Sequence, residues 1–110
     1  MALTTAQYDS TSVVRRAQGS LTGTYTAADA TITLGFVPTY FKVINATDRL
    51  TQEWFLGMNA GDFLETAANG DKTLETDDKL VVNSDGTVTI LANGGAITDN
   101  DTVVWVAEGI

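Results

Sequence analysis

This chain of 110 residues carries a net charge of −8 and contains no cysteine and no histidine. Those absences exclude disulfides, thiolate nucleophiles, imidazole bases and the usual zinc, copper or haem ligands, so we expect no catalytic residue, no metal, no cofactor and no enzyme. The length suits one domain with one core, and no apolar run reaches the ~18 residues of a membrane span, which predicts a soluble protein without a membrane partner.

The N-terminal segment 1–12 differs in composition from the rest of the chain. It is small and polar, and Tyr8 is its one aromatic residue. It has neither a basic leader nor an apolar core, so we expect no secretory signal and synthesis in a cytoplasm. Two interpretations stay open, an arm that orders on contact with a partner and a terminus that frays. We therefore divide the chain into a short arm, 1–12, and a domain, 13–110.

A basic pair opens the domain. Arg15 and Arg16 directly follow Val13 and Val14, and no other two basic residues are adjacent. On an acidic chain, such a pair is either a docking point for an acidic partner surface or a solvated strand end. With Tyr8 of the arm, these four residues are candidates for contact with a partner.

The middle of the chain has strand-like patterns. Segments 20–25 and 31–36 alternate apolar and polar residues, which predicts two strands that each have one solvated face. Segment 40–45 is apolar on both faces except at Lys42, which predicts a more central strand. Segment 53–58 is similar, although its period is ambiguous.

The clearest local pattern predicts a β-hairpin over 79–91. Its turn lies at 83–86, where Asp85 and Gly86 supply the positive φ that a hairpin turn needs. Segment 102–107 predicts a last, largely buried strand. About eight short strands with turn residues every 8–12 residues predict an all-β fold, a single-domain antiparallel β-sandwich or jelly-roll-like barrel with a short N-terminal arm.

The negative charge is unevenly placed. Residues 1–55 hold four basic and four acidic side chains, whereas residues 56–110 hold two basic and ten acidic ones. An acidic surface repels phosphates, so we expect no nucleic-acid partner. The acidic loops at 69–71, 77–78 and 99–101 lack the spacing of an EF-hand, and turn formation explains them more simply than calcium does.

Aromatic residues offer a second class of binding site. Trp54, Phe55 and Trp105 can stack on sugar rings, but aromatics within apolar strands usually belong to the core. The neighbours Glu53 and Gly57 place Trp54 near a rim, so it joins the candidates for partner contact. A glycan-binding surface requires an exposed Trp54.

Two nearby segments carry a resemblance. Segment 35–49, followed by Glu53-Trp54-Phe55 and Gly57-Met58, resembles small structural proteins of tailed bacteriophages. Those proteins have a Gly-Phe-x-Pro segment leading into a Val-x-Asn strand, then Trp-Phe-x-Gly-Met and a final apolar strand, which 104–107 matches. The class that it resembles is the head decoration, or cement, proteins.

The resemblance implies a β-sandwich or jelly roll that assembles as a homotrimer. It also implies binding to the major capsid protein at capsomer junctions on the outside of the virion, which stabilises the head. The neutral N-terminal half would then face the capsid and the acidic half would face solvent. The main alternative is a phage tail or fibre module that binds host glycans, and a different class again is an accessory domain of an enzyme.

Overall fold

The computed structural model describes residues 15–109, which form nine strands and no helix. The strands are β1 (Arg15–Leu21), β2 (Ala30–Thr33), β3 (Pro38–Asn45), β4 (Leu50–Phe55), β5 (Phe63–Thr66), β6 (Lys72–Glu75), β7 (Leu80–Val82), β8 (Thr87–Ile90) and β9 (Val103–Gly109). They form a six-stranded sheet of order β1-β9-β3-β4-β5-β6 and a three-stranded sheet of order β2-β8-β7. The chain is thus an all-β, single-domain antiparallel β-sandwich, as predicted. The proposed arm, 1–12, lies outside the described residues.

The core fills the space between the two sheets. Within the described residues the molecule measures 43 × 31 × 20 Å, and its short dimension suits two sheets packed about 10 Å apart. One side of each sheet contributes the buried apolar side chains, and a loop before β9 adds two more. They are Phe41, Val43, Trp54, Phe63, Val103 and Ala107 from the six-stranded sheet, Leu80, Val82, Val88 and Ile90 from the three-stranded sheet, and Ala96 and Ile97 from the loop.

Two predicted strands lie in the interior of the larger sheet. Strand β3 lies between β9 and β4, which confirms the central strand predicted over 40–45. Strand β9 lies between β1 and β3 and buries Val103 and Ala107, in agreement with the pattern over 102–107.

The predicted hairpin over 79–91 is confirmed as β7 and β8. Its turn is closed by the Gly86 N–H, which donates to the Asn83 carbonyl at 3.2 Å, and Gly86 has a φ of +92°. Oδ1 of Asp85 accepts from the Thr87 hydroxyl at 2.6 Å and from the Thr87 N–H at 3.0 Å. These bonds, led by the hydroxyl, hold the pKa of Asp85 below its usual range because they stabilise the carboxylate.

The strand predicted over 20–25 is wrong. Strand β1 begins earlier, at Arg15, and ends at Leu21, because Gly23 turns the chain with a φ of +93°. Tyr25 lies in the connection to β2, where its hydroxyl donates to the Asp101 carbonyl at 2.5 Å.

Other boundaries are shifted. Strand β2 ends at Thr33, although alternate residues remain partly buried as far as Phe36. Strand β4 spans Leu50–Phe55 instead of 53–58, and Gly57, with a φ of +107°, lies in the turn that follows. The hairpin of β5 and β6 had no prediction, and its ladder pairs Phe63 with Glu75.

Candidate functional site

The strand register gathers candidate residues at one end of the six-stranded sheet. At this end β1 and β3 begin and β4 and β9 end. Arg15 lies opposite Gly109, which pairs in turn with Pro38. The next row across the sheet contains Arg16, Glu108, Tyr40 and Phe55. Segments that are far apart in the sequence therefore meet along one edge of the molecule.

Three large apolar side chains are exposed at this end, and we call them the end patch. They are Val37, Phe55 and Leu56, with exposed fractions of 51%, 43% and 68%. The Leu56 N–H donates to the Thr39 carbonyl at 2.9 Å, and the ring of Phe55 lies 5.2 Å from that of Tyr40. The patch is therefore anchored at the start of β3 and the end of β4, and exposed apolar surface of this kind marks sites of protein contact.

An open cleft of about 250 Å³ adjoins the end patch. Its lining is mainly apolar and comprises Val37, Pro38, Trp54, Leu56, Gly57, Met58, Ala60, Val82 and Ser84. Met58 is attached to the end of β4, because the Phe55 N–H points at its sulfur over 3.3 Å. The cleft extends the apolar surface from the larger sheet towards the turn of the β7–β8 hairpin.

Trp54 belongs to the core and borders the cleft only as part of its floor. It is 6% exposed, and its indole N–H donates to the Asn59 carbonyl at 3.1 Å. Trp54 is thus a core residue, as aromatics within apolar strands usually are, and it lacks the exposure that sugar stacking requires. Burial follows from strand parity, since Trp54 faces the same side of the sheet as Phe41, its partner in β3.

Arg15 and Arg16 are both exposed, at the same end as the patch. Strand β1 lies three strands from β4, so the basic pair is about 14 Å from Phe55 across the sheet. The remaining candidates, Tyr8, Val13 and Val14, lie outside the described residues. The structure thus unites the basic pair with an apolar patch that sequence patterns did not single out.

A hydrogen bond lies on the outward side of the sheet at this same end of the strands. The Tyr40 hydroxyl donates to Oε2 of Glu53 at 2.7 Å. Burial and the adjacent carboxylate raise the pKa of Tyr40 far above its ordinary value, because both disfavour a phenolate. Tyr40 is therefore a permanent donor, which orients Glu53 and the Phe55 ring beside it.

The acidic loop 99–101 organises the backbone at the opposite end of the sheet. Oδ1 of Asp99 accepts from the Ala27 N–H at 2.7 Å, and Oδ1 of Asn100 accepts from the Tyr25 N–H at 2.8 Å. These two side chains therefore hold the backbone of the connection between β1 and β2. Among residues 15–109 no three acidic side chains are grouped as metal ligands, and turn formation explains this loop.

Asn45 joins two turns behind that loop. It is fully buried, and its side-chain amide donates to Oδ2 of Asp101 at 2.9 Å, while its Oδ1 accepts from the Asp48 N–H at 2.9 Å. The Thr98 hydroxyl also bonds Asp101 and, with the amide of Asn45, holds the pKa of Asp101 below its usual range. Interaction with the carboxyl group of Asp101, by hydrogen bonding and by its negative charge, raises the pKa of Asp48.

Comparison with known proteins finds no matching family model, no matching curated protein and no matching solved structure. Across 15–109 there is no helix long and apolar enough to cross a membrane. The candidate site therefore rests on its own geometry, an exposed apolar patch and cleft beside a basic pair. Such a surface can bind another protein.

Proposed function

We propose that this chain is a head decoration, or cement, protein of a tailed bacteriophage, which binds the major capsid protein on the outside of the virion. The observation that carries the proposal is the end patch. Segment 35–49 supplies Val37 and segment 53–58 supplies Phe55 and Leu56, so both segments that carry the resemblance contribute to one exposed apolar surface. A clamp between capsomers needs such a surface on a rigid support.

Binding by this patch removes apolar area from water, which is the main favourable term in protein association. The neighbouring strands hold the patch in one conformation, so little conformational entropy is lost on contact. Several copies bound around one capsomer junction would add avidity without any new kind of contact. The chain thereby stabilises the head mechanically and has no role as an enzyme.

The basic pair orients the module on the capsid. Arg15 and Arg16 lie at the end that carries the patch, and most acidic residues belong to the C-terminal half. We expect Arg15→Glu with Arg16→Glu to weaken capsid binding while the free protein stays folded, because both side chains are exposed. Unchanged capsid binding at low salt would contradict this orientation.

The test is co-sedimentation with expanded, undecorated capsids of the phage that encodes the chain. The wild-type protein should pellet with capsids and saturate at a fixed number of copies, whereas Leu56→Glu should bind at least about tenfold more weakly. The matched control is Leu21→Glu, because Leu21 is 38% exposed at the far end of β1. Absence of the wild-type protein from the pellet at saturating concentration would overturn the proposal.

Host-glycan binding by a tail or fibre module was the alternative. It depended on an exposed Trp54, and that residue is buried. The end patch consists of aliphatic side chains and one phenylalanine, which suit a protein surface better than a sugar ring.

A further inference from the structure

One side of the six-stranded sheet faces away from the core, and we call it the outer face. It carries more apolar side chains than the solvated face of a sheet normally does. Antiparallel register aligns its side chains in rows that cross all the strands. The middle row contains Gln18, Val106, Lys42, Glu53, Leu64 and Leu74. The row beside it places Val104 next to Ile44. Five aliphatic side chains, Val106, Leu64, Leu74, Val104 and Ile44, thus surround or flank one pair of opposite charges, Lys42 and Glu53.

An antiparallel sheet with one solvated face normally alternates apolar and polar residues. Strands β3 and β9 depart from that pattern, because Ile44, Val104 and Val106 point outward while their neighbours fill the core. Val104 is 37% exposed and Leu74 is 58% exposed. Within 15–109, the three-stranded sheet covers the inner side only, and no described strand covers the outer face. These strands have the composition of a sheet that is covered on both sides.

The outer face also avoids the charge of the rest of the chain. Its strand residues include three of the six basic side chains, Arg16, Lys42 and Lys72, but only Glu53 and Glu108 of the fourteen acidic ones. Two copies of a chain with a net charge of −8 repel each other over most of their surfaces. With three basic and two acidic strand residues, the outer face does not add to that repulsion.

We propose that the outer face binds the outer face of a second copy of this chain, sheet against sheet. A two-fold axis between β3 and β4, parallel to the strands, places β3 over the second copy's β4, β9 over its β5 and β1 over its β6. Lys42 then meets the second copy's Glu53, and Val106 meets the second copy's Leu64. The face is therefore complementary to itself in both charge and apolar surface, as a two-fold interface requires.

The size of the face sets the strength of the pair. Six strands and three rows of side chains cover about 30 by 20 Å, or roughly 600 Å² on each copy. Specific stable interfaces bury about 800 Å² per partner, so we expect a reversible dimer whose population depends on concentration. This assembly differs from the homotrimer that the resemblance implies. It covers Phe55 and Arg16, whose row belongs to the outer face, and leaves Val37, Leu56 and Arg15 of each copy available to the capsid.

Sedimentation equilibrium over a micromolar-to-millimolar series tests the pair in the absence of capsids. The wild-type protein should pass from a mass of 11.7 kDa to twice that value. A mass of 11.7 kDa at every concentration, or a limit at three times that mass, would overturn the two-fold pair. Neither result would bear on capsid binding, which is measured separately.

Charge reversal in separate chains tests the geometry. Lys42→Glu makes the centre of the face negative, and Glu53→Lys makes it positive, so each variant should remain monomeric alone. An equimolar mixture should associate at least about tenfold more tightly than either variant. Pairing of residues 42 and 53 within one chain cannot produce this result. A mixture no tighter than its components would contradict the proposal.

The control and a second variant keep the test independent of folding. Thr31→Glu and Thr31→Lys place the same charges on the exposed side of the three-stranded sheet, and should associate as the wild type does. Leu74→Glu changes a side chain that is already 58% exposed, so the fold should survive while self-association weakens. Circular dichroism checks the fold of each variant, and wild-type association of folded Leu74→Glu would count against the outer face.

Discussion

The two faces of the six-stranded sheet differ in what covers them far more than in composition. The inner face packs Phe41, Val43 and Val103 against the smaller sheet and leaves each of them at most 2% exposed. The outer face of the same strands carries Ile44, Val104 and Val106 without a cover from the described residues. A strand with apolar residues on both sides can therefore have only one of those sides covered by its own chain.

Truncation on each face gives the largest contrast. Phe41 is fully buried and its ring stacks 5.9 Å from Trp105, so Phe41→Ala should lower the free energy of unfolding by about 3–5 kcal/mol. Leu74→Ala on the outer face should change it by less than about 0.5 kcal/mol in the monomer. Denaturant unfolding at micromolar concentration measures both. A large loss of unfolding free energy for Leu74→Ala would contradict the proposed difference between the two faces.

Adjacent residues of β1 give a smaller contrast on the two faces. A Cβ at Gly19 would lie 2.6 Å from Nε1 of Trp105, so Gly19→Val forces the indole to move. We expect a loss of about 1–2 kcal/mol and a shifted Trp105 fluorescence spectrum. Ser20→Val, one residue along on the exposed side, should change neither, because nothing there is displaced. Equal effects of the two substitutions would contradict the placement of Gly19 against Trp105 and of Ser20 on the exposed side.

A polar cluster around Asp101 lies at one end of the inner face. We expect the smallest effect on stability there, and it should depend on pH. The lowered pKa of Asp101 means that the folded state binds fewer protons than the unfolded state near pH 4, so its stabilisation is present above that pH and is lost below it. Asp101→Asn should therefore be less stable than the wild type at neutral pH, with a difference that shrinks on acidification.

Asp48 opposes this trend, because its raised pKa favours the folded state at acid pH. Thermal melts of both proteins from pH 7 to pH 3 give the two stability curves. A difference that grows as the pH falls would contradict the role assigned to Asp101.

Local sequence patterns identified much of the fold and little of the site. The hairpin of β7 and β8 followed from Gly86, and the central position of β3 followed from its two apolar sides. Strands β5 and β6 have four residues each and depend on their neighbours in the sheet. The false strand over 20–25 alternates correctly, but Gly23 turns the chain, and backbone conformation outweighed side-chain period there.

The candidate site depends on register, which local patterns do not contain. Arg16 and Phe55 share a row across the sheet because the register of β9 and β3, which lie between β1 and β4, aligns them. Val37 and Leu56 lie just outside the strands, next to Pro38 and Gly57, and apolar residues at such positions could have indicated an exposed patch. Trp54 shows the converse, since its polar neighbours suggested a rim and strand parity buried it.

Cryo-electron microscopy of capsids saturated with the protein tests the central claim most directly, namely that the uncovered apolar surfaces are contact surfaces in a phage head. The account predicts added density on the capsid exterior that fits the sandwich, with Val37 and Leu56 against the capsid and the outer face against a second copy. Capsids without added density, or sandwiches whose end patch and outer face both point into solvent, would contradict it.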